Sequence, residues 1–261
     1  MSEAATLIII RAAITIFAAA IGGMFGVIWK KPGHRTLCAL VSFAAGALLA
    51  VTAVEIIPEA AGIEGVGWIR AILAVTAGVI IFYLIGKYVY YMCPACAASA
   101  IEVKSGYIRL GVLLMVALGI HSTVDGLAIA ASSKTNHEIV ALLVLFAVSY
   151  HKIPEGLALV SVARLAGYQR WKSFVLTLLI ELTTGVGAFI GLIALGALSE
   201  FWLGMMLGII GGSFLYVVGF AILREMIEHE PKSILTYFTL GFVSIVVIGL
   251  LLPMFGIAHA H

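Results

Sequence analysis

Two short cassettes of the same form carry the residues whose types and spacing could do chemistry. Each reads His-x-x-x-carboxylate-Gly-Leu-Ala; they begin at His121 and His151, and their carboxylates are Asp125 and Glu155. On an α-helix, residues four apart lie on one face, about 6 Å apart along the axis. An imidazole nitrogen and a carboxylate oxygen placed in this way can bind the same metal ion. The repeated cassette therefore predicts one divalent-metal site shared by two helices.

The composition indicates that both cassettes lie inside a membrane. Of the 261 residues, 63% are hydrophobic and only 11% are charged, whereas soluble domains carry about 25% charged residues. Ionisable residues within a bilayer are rare and usually functional. We therefore interpret the chain as an all-α integral membrane protein with a metal site near the centre of the bilayer.

Eight apolar segments predict eight transmembrane helices, because each is close to the about 20 residues that a span requires. A membrane β-barrel would instead show short segments of alternating hydrophobicity. Eight glycines predict small-residue faces for close helix packing: Gly22, Gly23, Gly185, Gly187, Gly191, Gly208, Gly211 and Gly212. No connection is long enough for a separate domain, so we expect one transmembrane domain over residues 1–261. The predicted segments span residues 5–29, 36–57, 68–91, 107–131, 139–163, 173–198, 201–226 and 234–258.

The distribution of Lys and Arg predicts the orientation of the bundle. Nine of these residues lie in the connections after segments one, three, five and seven. The other side holds Lys134 and, just inside segment three, Arg70. Since Lys and Arg concentrate in cytoplasmic connections, we expect both termini to be extracellular or periplasmic. The nine residues are Lys30, Lys31, Arg35, Lys104, Arg109, Arg164, Arg170, Lys172 and Lys232.

Depth in the predicted bundle brings the polar residues together. Counted from the cytoplasmic ends, His121 and His151 fall near the midplane, and Glu181 in segment six lies level with Glu155. A charged side chain at that depth costs at least about 2.5 kcal/mol on insertion scales, and a shared cation would offset this cost. The competing interpretation is that each polar residue only bridges helices. Matched depth and a repeated cassette favour the metal site.

The cassettes and their setting resemble the ZIP family of divalent-metal (zinc/iron) transporters, in its prokaryotic form. The resemblance rests on His121-Ser122-x-x-Asp125-Gly126 and His151-Lys152-Ile153-Pro154-Glu155-Gly156, in the fourth and fifth of eight segments. A weaker second-helix signature is Glu55-Ile56-Ile57-Pro58-Glu59-Ala60. The resemblance covers essentially the whole chain.

This resemblance implies a role for each polar residue. In the family, His and carboxylate residues of helices four and five bind the transported metal, which implies that role for the four cassette residues and, from helix six, for Glu181. Glu55 and Glu59 would guide ions at the outer entrance, and Glu225 would lie toward the cytoplasmic exit. The family likeness also implies an elevator-like shift of helices one, four, five and six against the others, and it suggests a homodimer.

Two positions depart from the two-metal form of the family pattern. Members with paired ions have Asn or Asp after the helix-four His and an acceptor after the helix-five His; here these positions are Ser122 and Lys152. We expect Ser122 to belong to the metal site. An ammonium group donates hydrogen bonds and accepts none, so charged Lys152 cannot bind a cation. We predict that Lys152 substitutes for the second ion and neutralises Glu155 and Glu181.

These observations predict a transporter that carries a divalent transition-metal cation into the cytoplasm, as a multi-pass protein of the cell (inner or plasma) membrane. His and carboxylate ligands suit Zn(II), Fe(II), Mn(II), Co(II) and Cd(II), and zinc is the leading candidate. The ion is the transported substrate, and the expected partners are metal ions and the bilayer, with no nucleic acid. The alternative is an intramembrane zinc-dependent hydrolase in which the same ligands activate water. The chain lacks His-Glu-x-x-His, so we do not expect an enzyme.

Three further features have simpler interpretations. Cys93 and Cys96 could supply half of a tetrahedral zinc site, but the sequence holds no second pair, so two ordinary reduced thiols are favoured. Arg11 lies one to two turns from the predicted outer end of helix one and is expected to extend its charged end to the interface. His137 and Glu138, in the predicted outer connection, could recruit ions, although ordinary solvated residues are favoured.

Overall fold

The described part of the chain consists of helices and the short connections between them. The computed structural model describes residues 3–28, 34–89, 107–135, 137–165, 167–195, 198–228 and 231–255. Within these residues there are eight long helices and no strand. The helices are α1 (Glu3–Ile28), α2 (His34–Val51, continuing through the π-helical turn Thr52–Ile56 and the segment Ile57–Gly62), α3 (Gly67–Val89), α4 (Tyr107–Ser132), α5 (Glu138–Leu165), α6 (Arg170–Ala194), α7 (Glu200–Glu228) and α8 (Pro231–Leu251, followed by the 3-10 turn Leu252–Phe255).

These helices have the length and apolar character of membrane spans. Among the described residues, seven helices are long and apolar enough to cross a bilayer. Helix α4 is not one of the seven, but its 26 residues also exceed the about 20 that a span requires. Large apolar side chains such as Phe17, Ile69 and Phe189 are more than 60% exposed on the perimeter. The predicted all-α integral membrane protein is confirmed, whereas the sidedness of the termini stays a prediction.

Reciprocal glycines bring the helices together in pairs. In the pair α1–α5, Gly22 faces the carbonyl of Ile153, and Gly156 faces the carbonyl of Ala19. A Cβ atom at either glycine would overlap the opposing backbone, so these positions permit the close approach that small residues give to membrane helices. The same reciprocal arrangement occurs in α4–α6 (Gly126 and Gly187), α2–α8 (Gly46 and Gly241) and α3–α7 (Gly78 and Gly212).

The four pairs form two groups, which we call the site group (α1, α4, α5 and α6) and the flanking group (α2, α3, α7 and α8). Helix α6 also packs on α1 and α5, and α7 also packs on α2. Between the groups the most extensive contact is that of α2 with α5, which includes the rings of Phe43 and Tyr150 at 5.6 Å. Among the described glycines, none faces the backbone of the other group; Gly249 meets only the side chain of Leu143 across that boundary. Side chains, not interlocked backbones, therefore form this boundary.

Candidate metal centre

The helical spacing of the cassettes places four metal-binding side chains at one point between α4 and α5. His121 and Asp125 lie one turn apart on α4, and His151 and Glu155 lie one turn apart on α5. Ligand atoms of all four residues lie within 4.8 Å of one another, and all four residues are buried. The centroids of the two imidazole rings are 5.3 Å apart. The fold thus brings the two predicted half-sites together.

The separations between these atoms suit a single shared ion. Nε2 of His151 lies 3.1 Å from Oδ2 of Asp125 and 3.9 Å from Oε2 of Glu155. Nε2 of His121 lies 3.7 Å from Oδ1 of Asp125. Tetrahedral zinc with bonds of about 2.0–2.2 Å places neighbouring ligand atoms about 3.4 Å apart. The observed separations lie on both sides of this value, so small side-chain movements would allow all four residues to coordinate one ion.

A backbone hydrogen bond orients His151 toward the centre. Nδ1 of His151 lies 3.1 Å from the carbonyl oxygen of Ala147. Because a carbonyl only accepts, Nδ1 is the donor, and in the neutral ring Nε2 carries the lone pair. That lone pair faces the carboxylate of Asp125, which is also an acceptor. Two acceptors at this distance need a proton or a cation between them, and metal-binding histidines are commonly oriented by such a second hydrogen bond.

Lys152 joins three helices beside these ligands. Its side chain is fully buried. Nζ of Lys152 lies 3.0 Å from Oδ2 of Asp125, 3.0 Å from Oε2 of Glu155 and 2.9 Å from Oε2 of Glu181. It also donates to Oγ of Ser122 at 2.6 Å, and Ser122 in turn donates to Oε1 of Glu155 at 3.2 Å. All six residues predicted for the metal site therefore meet here, and Ser122 and Glu181 both contact Lys152.

The formal charges of this cluster favour one divalent ion. Asp125, Glu155 and Glu181 carry three negative charges when ionised, and Lys152 carries one positive charge, which leaves two negative charges if both histidines are neutral. One divalent cation would balance them. A second divalent ion would leave a buried surplus of positive charge, and uncompensated buried charge typically costs about 3–5 kcal/mol.

Several buried polar atoms at the centre also fit a cation site. Oδ1 of Asp125, Nδ1 of His121 and Oε1 of Glu181 are buried without a hydrogen-bond partner. Leaving a buried polar atom unpaired costs about 1–3 kcal/mol, so native structures keep few of them. Three such atoms on residues of this cluster support a cation site, although the hydroxyls of Ser149, Thr177 and Thr184 are also buried without a partner.

A second group of polar residues lines a cavity at the end of α2. The cavity has a volume of about 470 Å³ and is lined by Glu55 and Glu59, the two residues predicted for the entrance. Glu55 lies in the π-helical turn Thr52–Ile56, and π turns occur frequently at functional sites. Oε2 of Glu59 lies 2.9 Å from Nδ1 of His137. The predicted entrance residues thus share one cavity with a histidine.

Arg11 corrects one expectation. Its side chain does not extend to the interface but is buried, where it forms an ion pair with Glu138 and donates to Oγ of Ser133 at 2.7 Å. These contacts tie α1 to the connection between α4 and α5. The sequence contains a signal for this pair, since Arg11 and Glu138 have opposite charges and lie near the same predicted face of the membrane.

Two sequence predictions fall outside the residues that the structure describes. Helix α7 includes Glu225, but the side chain of this predicted exit residue lies outside the described part. Cys93 and Cys96 lie between the described ends of α3 and α4. The exit residue and the cysteine pair therefore stay sequence predictions.

The fold and the centre define a class: helical membrane proteins with a buried cluster of side chains that could bind a cation. A family model described as "ZIP Zinc transporter" matches residues 96–249, which is more than half of the chain. The chain therefore belongs to the ZIP family of divalent-metal transporters, as the cassettes indicated. Members of this family are transporters and not enzymes, and nothing in the comparisons supports the hydrolase alternative.

The chain is similar to several known proteins, including two that are named zinc transporters. The chain is 29% identical over 263 residues to "Zinc transporter ZupT" of Corynebacterium efficiens, which covers 94% of this chain and 97% of the relative. It is 25% identical over 131 residues to "Zinc transporter ZupT" of an Enterobacter species, covering 48% of this chain and 51% of the relative. It is also 29% identical over 155 residues to "Protein zntD" of Dictyostelium discoideum, covering 56% of this chain and 22% of the relative.

Proposed function

We propose that this protein, as a single transmembrane domain, carries divalent transition-metal cations into the cytoplasm through the centre between α4 and α5. The observation that carries the proposal is the convergence of four buried ligand atoms, from His121, Asp125, His151 and Glu155, within 4.8 Å inside a membrane bundle. Charge balance with Lys152 makes the centre suitable for one ion at a time. The metal is therefore the substrate.

Zinc is the leading cargo. Two imidazoles and two carboxylates are ligands that zinc accepts, and the same set also suits Fe(II), Mn(II), Co(II) and Cd(II). Two relatives are named zinc transporters, which supports zinc as the cargo here. Mg²⁺ and Ca²⁺ prefer oxygen ligands, so the two histidines disfavour them.

Movement of the site group against the flanking group would expose the centre to the two sides in turn. The reciprocal glycines hold α1 to α5 and α4 to α6 within the site group, while the boundary with the flanking group is formed by side chains. A boundary of this kind supports sliding of packed helices. The elevator-like motion of α1, α4, α5 and α6, which the family resemblance implies, follows the same division.

The distribution of charged residues supports the direction of metal transport and the orientation of the protein in the membrane. Glu55 and Glu59 would concentrate cations at the outer cavity, and Glu225 would receive them near the cytoplasm. The Lys and Arg distribution supports placing α2's cavity outside, with both termini on the same side. We also propose that the protein lies in the cell membrane and forms a homodimer.

Uptake into liposomes tests this function. Purified protein should move Zn²⁺ into sealed vesicles, and His151→Ala should abolish the flux because it removes a ligand at the centre. Glu155→Gln should also reduce the flux. Its matched control is Glu3→Gln, which makes the same chemical change at an exposed position at the start of α1.

The same vesicles distinguish transport from chemistry. Metal flux without turnover of lipid or peptide supports the transporter. Normal flux in correctly inserted His151→Ala protein would contradict the assignment of the centre, even if the parent protein transports zinc.

A further inference from the structure

The contact between His137 and Glu59 joins the two helix groups at the predicted outer mouth. Glu59 lies on the last segment of α2, in the flanking group. His137 directly precedes α5, in the site group, and Nδ1 of His137 lies 2.9 Å from Oε2 of Glu59. The next residue, Glu138, pairs with Arg11 of α1, so the start of α5 is held within the site group. The His137–Glu59 contact therefore bridges two bodies that would move relative to each other.

The surroundings of this pair favour a cation. The cavity beside it is about 470 Å³ and is also lined by Glu55, Glu64 and Glu200, with Lys134 as the opposing positive charge. The side chain of Glu59 is only 10% exposed, whereas that of His137 is 41% exposed. Glu59 is thus largely shielded from solvent, whereas His137 is accessible to an arriving ion. Carboxylates alone would attract any cation, but the imidazole adds a preference for transition metals.

We propose that His137 and Glu59 form an outer binding site for a divalent transition-metal ion, separate from the buried centre. The identity of the ion as cargo rests on the proposed function. An ion held by both residues links the flanking group to the site group while the mouth is open. Movement of the site group would separate the ligands and release the ion from this position. The outer site therefore acts as a weak, metal-selective first stop.

Equilibrium dialysis of the full-length protein against Zn²⁺, with elemental analysis, tests the site directly. His137→Gln should bind one ion fewer per chain than the parent. Glu59→Gln should lower the affinity for that ion by at least about tenfold, since even residues outside the ligand shell can contribute this much to metal affinity. The matched control is Glu200→Gln, which removes an equal charge from the same cavity and should change the affinity much less. A hundredfold excess of Ca²⁺ should not displace the ion.

Three results would overturn the proposal. The first is an unchanged number and affinity of bound ions in His137→Gln. The second is an equal effect of Glu59→Gln and Glu200→Gln, which would mean that the cavity attracts cations only by its net charge. The third is displacement by Ca²⁺ as readily as by Zn²⁺. Weak sites at other histidines cancel, because each variant is compared with the parent.

A double variant separates this inference from the proposed function. His121→Ala with His151→Ala should remove the ion of the buried centre and leave the outer ion in place. If the double variant binds as many ions as the parent while His137→Gln binds one fewer, the buried centre is wrong and the outer site stands. If the double variant loses one ion and His137→Gln loses none, the outer site is wrong and the buried centre stands.

Discussion

The buried centre and the outer cavity use the same side-chain types in opposite surroundings. At the centre, Lys152 and Glu181 are completely buried, and their charges are screened little by salt. At the cavity, His137 is 41% exposed, so solvent reaches this histidine. The comparison teaches that burial, not ligand identity, decides whether charge must be balanced. The centre therefore contains a positively charged residue, Lys152, among its carboxylates. The cavity instead has more carboxylates than positive charges.

Replacing Lys152 should have the largest effect, because it removes the charge balance of the centre. Lys152→Ala leaves three buried carboxylates without their common partner, and breaking a buried charge set typically costs about 3–5 kcal/mol. We expect a marked loss of thermal stability in metal-free buffer that added Zn²⁺ partly restores. Lys87→Ala, at an exposed position near the end of α3, is the control and should unfold like the parent.

Lys152→Asp sharpens the same comparison. This change replaces a donor with a ligand, so the centre should hold two ions where the parent holds one. Dialysis with elemental analysis in the His137→Gln background, with and without Lys152→Asp, measures the change in the number of ions at the centre. Two tightly bound ions at the centre of the parent protein would show that Lys152 does not substitute for a second metal.

Glycine substitutions should have an intermediate effect that differs between the two regions. Gly156 follows Glu155 at the centre, and a Cβ there would overlap the backbone of Ala19. Gly62 lines the outer cavity and has open space around it. Gly156→Ala should destabilise the protein by about 1–3 kcal/mol, as overpacking does, whereas Gly62→Ala should change stability little. Thermal unfolding of both variants in the same detergent measures the difference; equal effects would mean that α1 and α5 can separate without cost.

Neutralising the cavity should have the smallest effect. Glu55→Gln with Glu59→Gln should raise the half-saturation constant for Zn²⁺ uptake by a few-fold, because the local cation concentration falls. The maximal rate should fall less, since the centre is unchanged. The increase in the half-saturation constant should be smaller at high salt, where exposed charges are screened. An unchanged constant at low ionic strength would assign both residues a purely structural role.

Helical spacing made half of the site predictable. Each cassette fixes its own histidine and carboxylate on one face, and the structure places them as the spacing requires. Counting depth also placed Glu181 correctly beside the cassettes, because helices that cross the same bilayer share one depth scale. Arg11 and Glu138 share one predicted face of the membrane as well, and the expectation that Arg11 extends to the interface is wrong because it pairs with Glu138.

Rotation of the helices about their axes was not predictable from the sequence. Apart from the cassettes, helices α4 and α5 are apolar around most of their circumference, so no polar stripe indicates which face packs on which neighbouring helix. Four glycine pairs decide this in the structure, because each pair permits contact only where both glycines face the opposing backbone. The sequence predicts several of these glycines as packing positions but does not assign their partners.

The sequence by itself determined a helical membrane protein, its family and two half-sites, because apolar length and residue spacing are properties of single segments. Only the tertiary structure decided that Lys152 also contacts Asp125 of α4 and that Glu59 meets His137 across two helix groups. These contacts depend on the rotation and relative height of separate helices. Those quantities are fixed by packing between segments, and a single segment does not encode them.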